Sequence, residues 1–217
     1  MSELEIAALL LSLKVASVAV AASLPLGLAV AWLLAKREFR GRLLLDFVVH
    51  LPTVVPPVVV GYGLLILFSP ASPLGLPIAF SWYAAALAAA VMAFPFLVRG
   101  IRGAMEAVDP RLEAMARSLG AGEWRVFWRV TVPLSQRGLV SGLVLAFARA
   151  LAEFGATIAF AANIPRVTQT LPLAVFSALQ SPGGEAAAAR LSLVAVGLAG
   201  IALLLAEWVR PGKKARR

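Results

Sequence analysis

The amino-acid sequence predicts an all-α membrane protein with five transmembrane helices, and three observations support this fold class. Of the 217 residues, 61% are hydrophobic and only 14% are charged, which leaves too little polar surface to cover a water-soluble globule. Apolar runs long enough to cross a bilayer core, about 20 residues each, occur five times along the chain. The cationic residues are concentrated in alternate connections between these runs.

The five predicted spans belong to one transmembrane domain that covers the whole chain, residues 1–217. The first run is too long for a cleaved signal peptide, and acidic residues precede it instead of the basic ones that a signal peptide carries, so we expect it to remain as a span. Because five is an odd number, the two termini are predicted on opposite sides of the membrane. The predicted spans are residues 6–35, 43–68, 76–98, 138–162 and 191–209.

The basic residues predict the orientation of the chain. Lysines and arginines number 20 against 11 acidic residues, and most of them lie at residues 36–42, 99–137 and 210–217. These three segments fall on one side in a five-span topology. By the positive-inside rule, the amino terminus is outside and the carboxyl terminus is cytoplasmic, in the inner cell membrane. The positive charge is therefore attributed to topology and to contact with membrane lipid, and no nucleic-acid partner is expected.

Residue content disfavours catalytic chemistry in this chain. The sequence has no cysteine and a single histidine, His50, so cysteine nucleophiles and histidine clusters for a metal are excluded. It also lacks a phosphate-binding glycine loop followed by lysine. We therefore expect no enzyme activity, no metal and no cofactor in the chain itself.

The second predicted span contains three prolines, Pro52, Pro56 and Pro57. Each proline removes a backbone donor, so a helix with three of them must kink or break where other groups satisfy the freed carbonyls. A broken helix beside a transport path and a simple packing kink both agree with this pattern.

The segment 99–137 predicts two short amphipathic helices joined by a glycine turn on the cytoplasmic side. Asp109 is a predicted N-cap, Pro110 the first helical residue and Gly120 the C-cap. Leu112, Met115, Ala116 and Leu119 recur at helical spacing as one apolar stripe, which leaves Arg111, Glu113, Arg117 and Ser118 on the remaining surface.

The second amphipathic helix is predicted to follow the turn formed by Gly120 and Gly122 and to end at Pro133. It brings Trp124, Phe127 and Trp128 together, and Arg125 and Arg129 form a basic row beside them. The apolar faces of the two helices can lie in the lipid interface or in a groove on another protein, and the residue types slightly favour protein docking. A passive channel would not need such docking helices.

This segment resembles the cytoplasmic signature of ABC importer permeases. The signature reads Glu-Ala-Ala, three residues, Gly, nine residues and Ile-x-Leu-Pro, and here the glycine is Gly120 and the closing residues are 130–133. Ala114 occupies the usual glutamate position, and Glu113 lies one residue earlier. Three further stretches, LPTVVPPVVVGYGLL (51–65), residues 146–180 and GGEAAAARLSL (183–193), are similar to the permeases of molybdate importers.

The resemblance implies a type I ABC importer permease that moves molybdate by alternating access. Its implied partners are a second copy of itself, a cytoplasmic ABC ATPase dimer that holds ATP and magnesium, and an extracytoplasmic molybdate-binding protein. A sulfate or tungstate importer built on the same plan is the alternative, because tetrahedral dianions differ little. Residues 109–133 are the implied coupling segment. The expected ATPase-coupling residues are Leu112, Glu113, Met115, Ala116, Leu119, Gly120, Gly122, Trp124, Phe127, Trp128 and Pro133.

Polar residues within the spans are the candidates for the translocation path. Arg149 and Glu153 are four residues apart on the fourth span and are expected to pair; alternatively, Arg149 faces the transport axis. Hydroxyl and amide groups suit weak, reversible anion binding, although they also serve as packing contacts between helices. Residues 163–180 are expected to form an outer gate, or else a surface loop. The path candidates are Thr53, Arg149, Glu153, Thr157, Asn163, Thr168, Gln169 and Thr170.

Overall fold

The computed structural model describes residues 1–68, 72 and 76–209, and all regular secondary structure in this part of the chain is helical. A 3₁₀ turn covers Leu51–Thr53 and a π turn covers Phe127–Thr131. The basic group predicted at 210–217 lies outside the described residues. The α-helices are α1 (Glu3–Lys36), α2 (Arg42–His50), α3 (Pro57–Leu67), α4 (Trp82–Glu106), α5 (Pro110–Ser118), α6 (Glu123–Val126), α7 (Val132–Leu151), α8 (Gly155–Ala161), α9 (Leu171–Leu179) and α10 (Glu185–Val209).

The core lies between α1, α4 and α7, and α4 is at its centre. Alanines such as Ala85 and Ala88 on α4 are fully buried, and small residues allow helices in membranes to approach closely. The backbones of α4 and α7 come close together at Gly100 and Gly142, where a Cβ added to Gly100 would lie 2.6 Å from the Gly142 Cα. Helix α10 packs on α7 and α9, and α3 packs on α8.

The predicted second span is broken. Four helices in the described residues are each long and apolar enough to cross a membrane, and the fifth candidate is the pair 42–53 and 57–67, which is bent by 107°. Pro56 and Pro57 lie at the bend, so the predicted interruption of this span is confirmed.

The third and fifth spans begin at other positions than hydropathy predicts. Helix α4 starts at Trp82, because the Ser81 hydroxyl accepts a hydrogen bond from the Ala84 amide (3.3 Å) and caps the helix. It continues to Glu106, inside the segment predicted as cytoplasmic loop. Helix α10 begins at Glu185, six residues before the predicted start of its span.

The helices around the predicted span 138–162 begin and end at other residues than one continuous helix over this span would. Residues Glu123–Leu151 form one helical stretch of 29 residues, so Pro133 does not end the second amphipathic helix. The π turn just before Pro133 accommodates the missing amide without ending the helix. At the other end the helix stops at Leu151 and a new helix, α8, begins at Gly155. The Glu153 carboxylate accepts a hydrogen bond from the Ala156 amide (2.8 Å) at the start of α8.

Candidate functional site

Helices α5 and α6, with the glycine turn between them, form a compact unit that we call the elbow (residues 110–126). The Asp109 carboxylate accepts a hydrogen bond from the Arg111 amide (2.9 Å), which confirms the predicted N-cap. The C-cap of α5 is Leu119, one residue before the predicted Gly120. Gly120 follows it with a φ of +82°, the left-handed conformation that glycine favours at the end of a helix. Gly122 has an ordinary φ of −67°, so the turn requires a glycine conformation only at Gly120.

The apolar stripe of α5 is exposed to the surroundings of the chain. Leu112 is 44%, Met115 62% and Leu119 87% exposed, and Ala116 is half-buried. Two large apolar side chains on α5 and that of Leu119, its C-cap, form a patch that the described part of the chain leaves uncovered. A patch of this kind marks a surface that another molecule covers.

Glu113 is buried, and the prediction that it lies on the exposed surface of α5 is wrong. It is 4% exposed, accepts a hydrogen bond from the Thr131 hydroxyl (2.7 Å) and pairs with the Lys36 ammonium at 3.0 Å. Lys36 is the last residue of α1, and Thr131 lies in the π turn. One carboxylate therefore ties the elbow both to the first span and to the start of α7.

A second acidic residue attaches the other arm of the elbow. The Arg117 guanidinium donates a hydrogen bond to Glu123 (2.7 Å), and Arg37 pairs with the same carboxylate at 3.3 Å. This hydrogen bond raises the pKa of Arg117 above its ordinary value. The consecutive residues Lys36 and Arg37 thus contact both arms of the elbow, through Glu113 and Glu123.

The predicted aromatic cluster forms, but its members face different surroundings. The ring centroids of Trp124, Phe127 and Trp128 lie 5.0 to 5.7 Å apart. Phe127 is only 5% exposed and packs edge-on against Trp32 of α1 at 5.9 Å, so it is not part of the exposed surface. Trp124 and Trp128 are 73% and 46% exposed.

The predicted pair of Arg149 and Glu153 is confirmed. The guanidinium lies 2.7 Å from the Glu153 carboxylate, whose side chain is 2% exposed. Glu153 also accepts the hydrogen bond from the Ala156 amide described above. Both charges have partners within the chain, which favours the structural alternative over an arginine free to attract the ion.

The structure brings three polar side chains together between the loop that precedes α9 and the last turns of α9. The Asn163 amide donates to the Ser177 hydroxyl oxygen at 2.7 Å, and the Gln169 amide donates to both Asn163 Oδ1 and Ser177 Oγ, at 3.0 and 3.1 Å. We call this group the outer polar cluster. Sequence reasoning missed Ser177, because only its helix position opposite the 163–169 loop reveals the contact.

The predicted threonines occupy separate surroundings. Thr168 accepts from the Ile164 amide (2.9 Å) and donates to the Ala162 carbonyl (3.3 Å), so it holds the loop together. Thr157 is 1% exposed. Thr170 is 4% exposed and its hydroxyl has no hydrogen-bond partner among the described residues. Thr53 is exposed in the 3₁₀ turn and donates to the His50 carbonyl (2.7 Å).

Comparison with known proteins, by family, by sequence and by structure, leads each time to membrane transport proteins. Residues 23–214 match a family model described as binding-protein-dependent transport system inner membrane component. The chain is 54% identical to the molybdenum transport system permease protein ModB of Escherichia coli K12 over 93% of its length and 92% of that protein. It is 50% identical to the Haemophilus influenzae ModB, with 95% and 93% covered. The permease fold of the MetNI methionine ABC transporter superposes with a TM-score of 0.75 at 18% identity, over 97% of this chain and 100% of that one.

Proposed function

The chain belongs to the inner membrane components of binding-protein-dependent transport systems, and we propose that it is the membrane-spanning subunit of an ATP-driven molybdate importer. The observation that carries the choice of substrate is the 54% identity to the molybdenum permease of Escherichia coli along 93% of the chain. The helical, multi-pass architecture supports the same assignment, because it provides the apolar spans that a permease of this family needs.

The importer acts as an assembly around two copies of this chain. Molybdate is a tetrahedral dianion, and an unpaired ion of that charge in hydrocarbon costs tens of kcal/mol by Born solvation. A polar path on the two-fold axis of a homodimer avoids this cost, since both subunits then contribute to its walls. A cytoplasmic ATPase dimer binds ATP with magnesium and hydrolyses it, and an extracytoplasmic molybdate-binding protein delivers the ion.

The elbow couples the ATPase to the membrane spans. The exposed stripe of Leu112, Met115 and Leu119 enters a cleft of the ATPase, where its apolar surface is removed from water. Closure of the ATPase on ATP then moves the elbow. The motion passes into the continuous helix 123–151 and alternates the path between its inward-open and outward-open forms.

The outer polar cluster contributes to the outer end of the path. Its amide and hydroxyl groups bind an oxyanion weakly enough to release it, which a cluster of cations does not. Gln169 is 9% exposed and Asn163 is half-buried, so a modest rearrangement of the 163–170 loop is sufficient to present these groups to the ion. The hydrogen bonds to Ser177 hold them away from it in the closed form.

Uptake by reconstituted complexes tests this function. The permease, ATPase and binding protein in liposomes are expected to accumulate molybdate only with ATP, and excess sulfate should not compete. Efficient competition by sulfate, with poor competition by molybdate, would favour the sulfate importer instead.

Coupling through the stripe is tested with one matched pair of variants. Met115→Asp places a charge in the exposed stripe and should abolish uptake while the subunit still inserts in the membrane. Ala114→Asp adds the same charge on the opposite, exposed side of α5 and should leave uptake near normal. Normal import and ATPase assembly by Met115→Asp would reject the docking surface.

A further inference from the structure

Two neighbouring cavities share Trp124 and Trp128 but differ in chemistry. One has a volume of about 520 Å³ and is lined, besides the aromatic cluster, by apolar residues of α1. The other, of about 530 Å³, is lined by the glycine turn, Glu123 and two arginines, Arg125 and Arg129. The two tryptophans therefore lie between an apolar groove and a cationic pocket.

The apolar groove extends to a depth that a water-soluble partner does not reach. Its α1 lining runs from Trp32 back to Leu24, and Leu24 lies twelve residues before the end of α1 at Lys36. At 1.5 Å per residue this distance is about 18 Å, more than half of a hydrocarbon core of about 30 Å. The inner part of the groove thus opens at membrane depth, where acyl chains are the available apolar occupants.

The cationic pocket carries charge that the chain itself does not neutralise. Arg125 and Arg129 are exposed, and neither forms an ion pair within the described part of the chain. The only carboxylate in the lining, Glu123, is already paired with Arg117 and Arg37. The pocket is therefore electrostatically suited to an anion at the cytoplasmic surface.

We propose that this site binds one anionic phospholipid of the cytoplasmic leaflet. One acyl chain lies in the groove beside α1, and the phosphate contacts Arg125 and Arg129. Trp124 and Trp128 lie at the level of the headgroup, where tryptophan side chains concentrate in membranes. Anionic headgroups attract basic residues near this surface, so phosphatidylglycerol should bind here in preference to the zwitterionic phosphatidylcholine.

The lipid site separates the two exposed surfaces of the elbow. Leu112 and Met115 lie on α5 and Leu119 is its C-cap, whereas Trp124 and Trp128 line the groove beside α1. The α5 stripe is left for the ATPase. Trp124 and Trp128, which the sequence placed among the ATPase-coupling residues, contact the membrane lipid in this proposal. The lipid then stabilises the start of the helix 123–151.

The assembled complex in nanodiscs tests the proposal without measuring transport, so its result is independent of the substrate. Tryptophan fluorescence is recorded with phosphatidylglycerol or phosphatidylcholine brominated in the middle of the acyl chain. Brominated phosphatidylglycerol should quench the wild type more strongly. The difference should become smaller in Trp124→Phe/Trp128→Phe and disappear when Trp32→Phe is added, because Trp32 also lines the groove. Equal quenching by the two lipids would reduce the site to ordinary boundary contact and overturn the proposal.

Retention of lipid by the detergent-purified complex, counted by native mass spectrometry, gives the second measurement. Arg125→Gln/Arg129→Gln should weaken phosphatidylglycerol retention roughly thirtyfold, since both contacts to the phosphate are lost. Arg111→Gln removes an exposed arginine elsewhere on the elbow and should have no effect. If the ATPase covers the tryptophans, quenching will appear only in the permease without ATPase, and that outcome would also overturn the proposal.

Discussion

Removal of Lys36 should destabilise the protein more than removal of its partner. In Lys36→Met, the Glu113 carboxylate loses its ion-pair partner and keeps the hydrogen bond from Thr131 and a longer-range attraction to Arg117, and its side chain is 5% exposed. Breaking a buried ion pair from one side costs about 3–5 kcal/mol. The Lys36 side chain is 14% exposed, so some water already reaches this pair, and we expect the lower end, about 3 kcal/mol.

Glu113→Gln should be milder, because the glutamine oxygen still accepts from Thr131 and the flexible Lys36 side chain can extend toward water. The double variant Lys36→Met/Glu113→Gln buries no unpaired charge. It should therefore be more stable than Lys36→Met alone. Lys36→Met should therefore be the least stable of the three variants, because the Glu113 carboxylate is more deeply buried than the Lys36 ammonium.

The assay is thermal unfolding of the purified permease, with molybdate uptake measured in parallel. A loss of about 3 kcal/mol corresponds to a fall in Tm of roughly 6 to 12 °C for a chain of this size. If Lys36→Met melts like the wild type, or if adding Glu113→Gln does not restore stability, the carboxylate does not depend on Lys36 and the reasoning is refuted.

The remaining predictions concern backbone contacts and the outer polar cluster. Gly100→Ala should lower the free energy of unfolding by about 1–3 kcal/mol through overpacking, since its Cβ would meet Gly142 at 2.6 Å. The control Gly103→Ala on the same helix meets nothing within 4 Å and should raise the free energy of unfolding by about 0.5–1 kcal/mol. Equal melting temperatures for Gly100→Ala and Gly103→Ala would contradict this prediction. Gly120→Ala should cost about 1–2 kcal/mol from its positive φ alone, and an unchanged Tm would argue against the left-handed turn. Ser177→Ala removes the acceptor of two amides and should lower stability by about 1–3 kcal/mol, a loss that denaturation of purified protein measures; no loss would mean that water replaces the hydroxyl.

Features that depend on local chemistry were predictable from the sequence. The Asp109 cap and the left-handed Gly120 follow from residue types at neighbouring positions, and the pairing of Arg149 with Glu153 follows from helical spacing. The interruption of the second span follows from its prolines. Each of these signals lies within a few residues of the structure that it predicts.

Features that depend on tertiary contacts were not predictable in the same way. The amphipathic pattern of α5 placed Glu113 on the surface, because no local signal shows that Lys36, 77 positions earlier in the chain, lies beside it. Phe127 was grouped with its exposed neighbours for the same reason. Hydropathy also merged α7 with α8, since it does not register that Glu153 caps a new helix.

The contact between Gly100 and Gly142 has a mechanical consequence for the helix 123–151. Two backbones this close leave little freedom to slide, so the crossing acts as a fulcrum. Gly142 lies nineteen residues from Glu123 and nine from Leu151, which are arms of about 28 and 14 Å. If the cytoplasmic end of this helix moves by about 4 Å, its outer end therefore moves by about 2 Å in the opposite direction, because the arms differ about twofold in length.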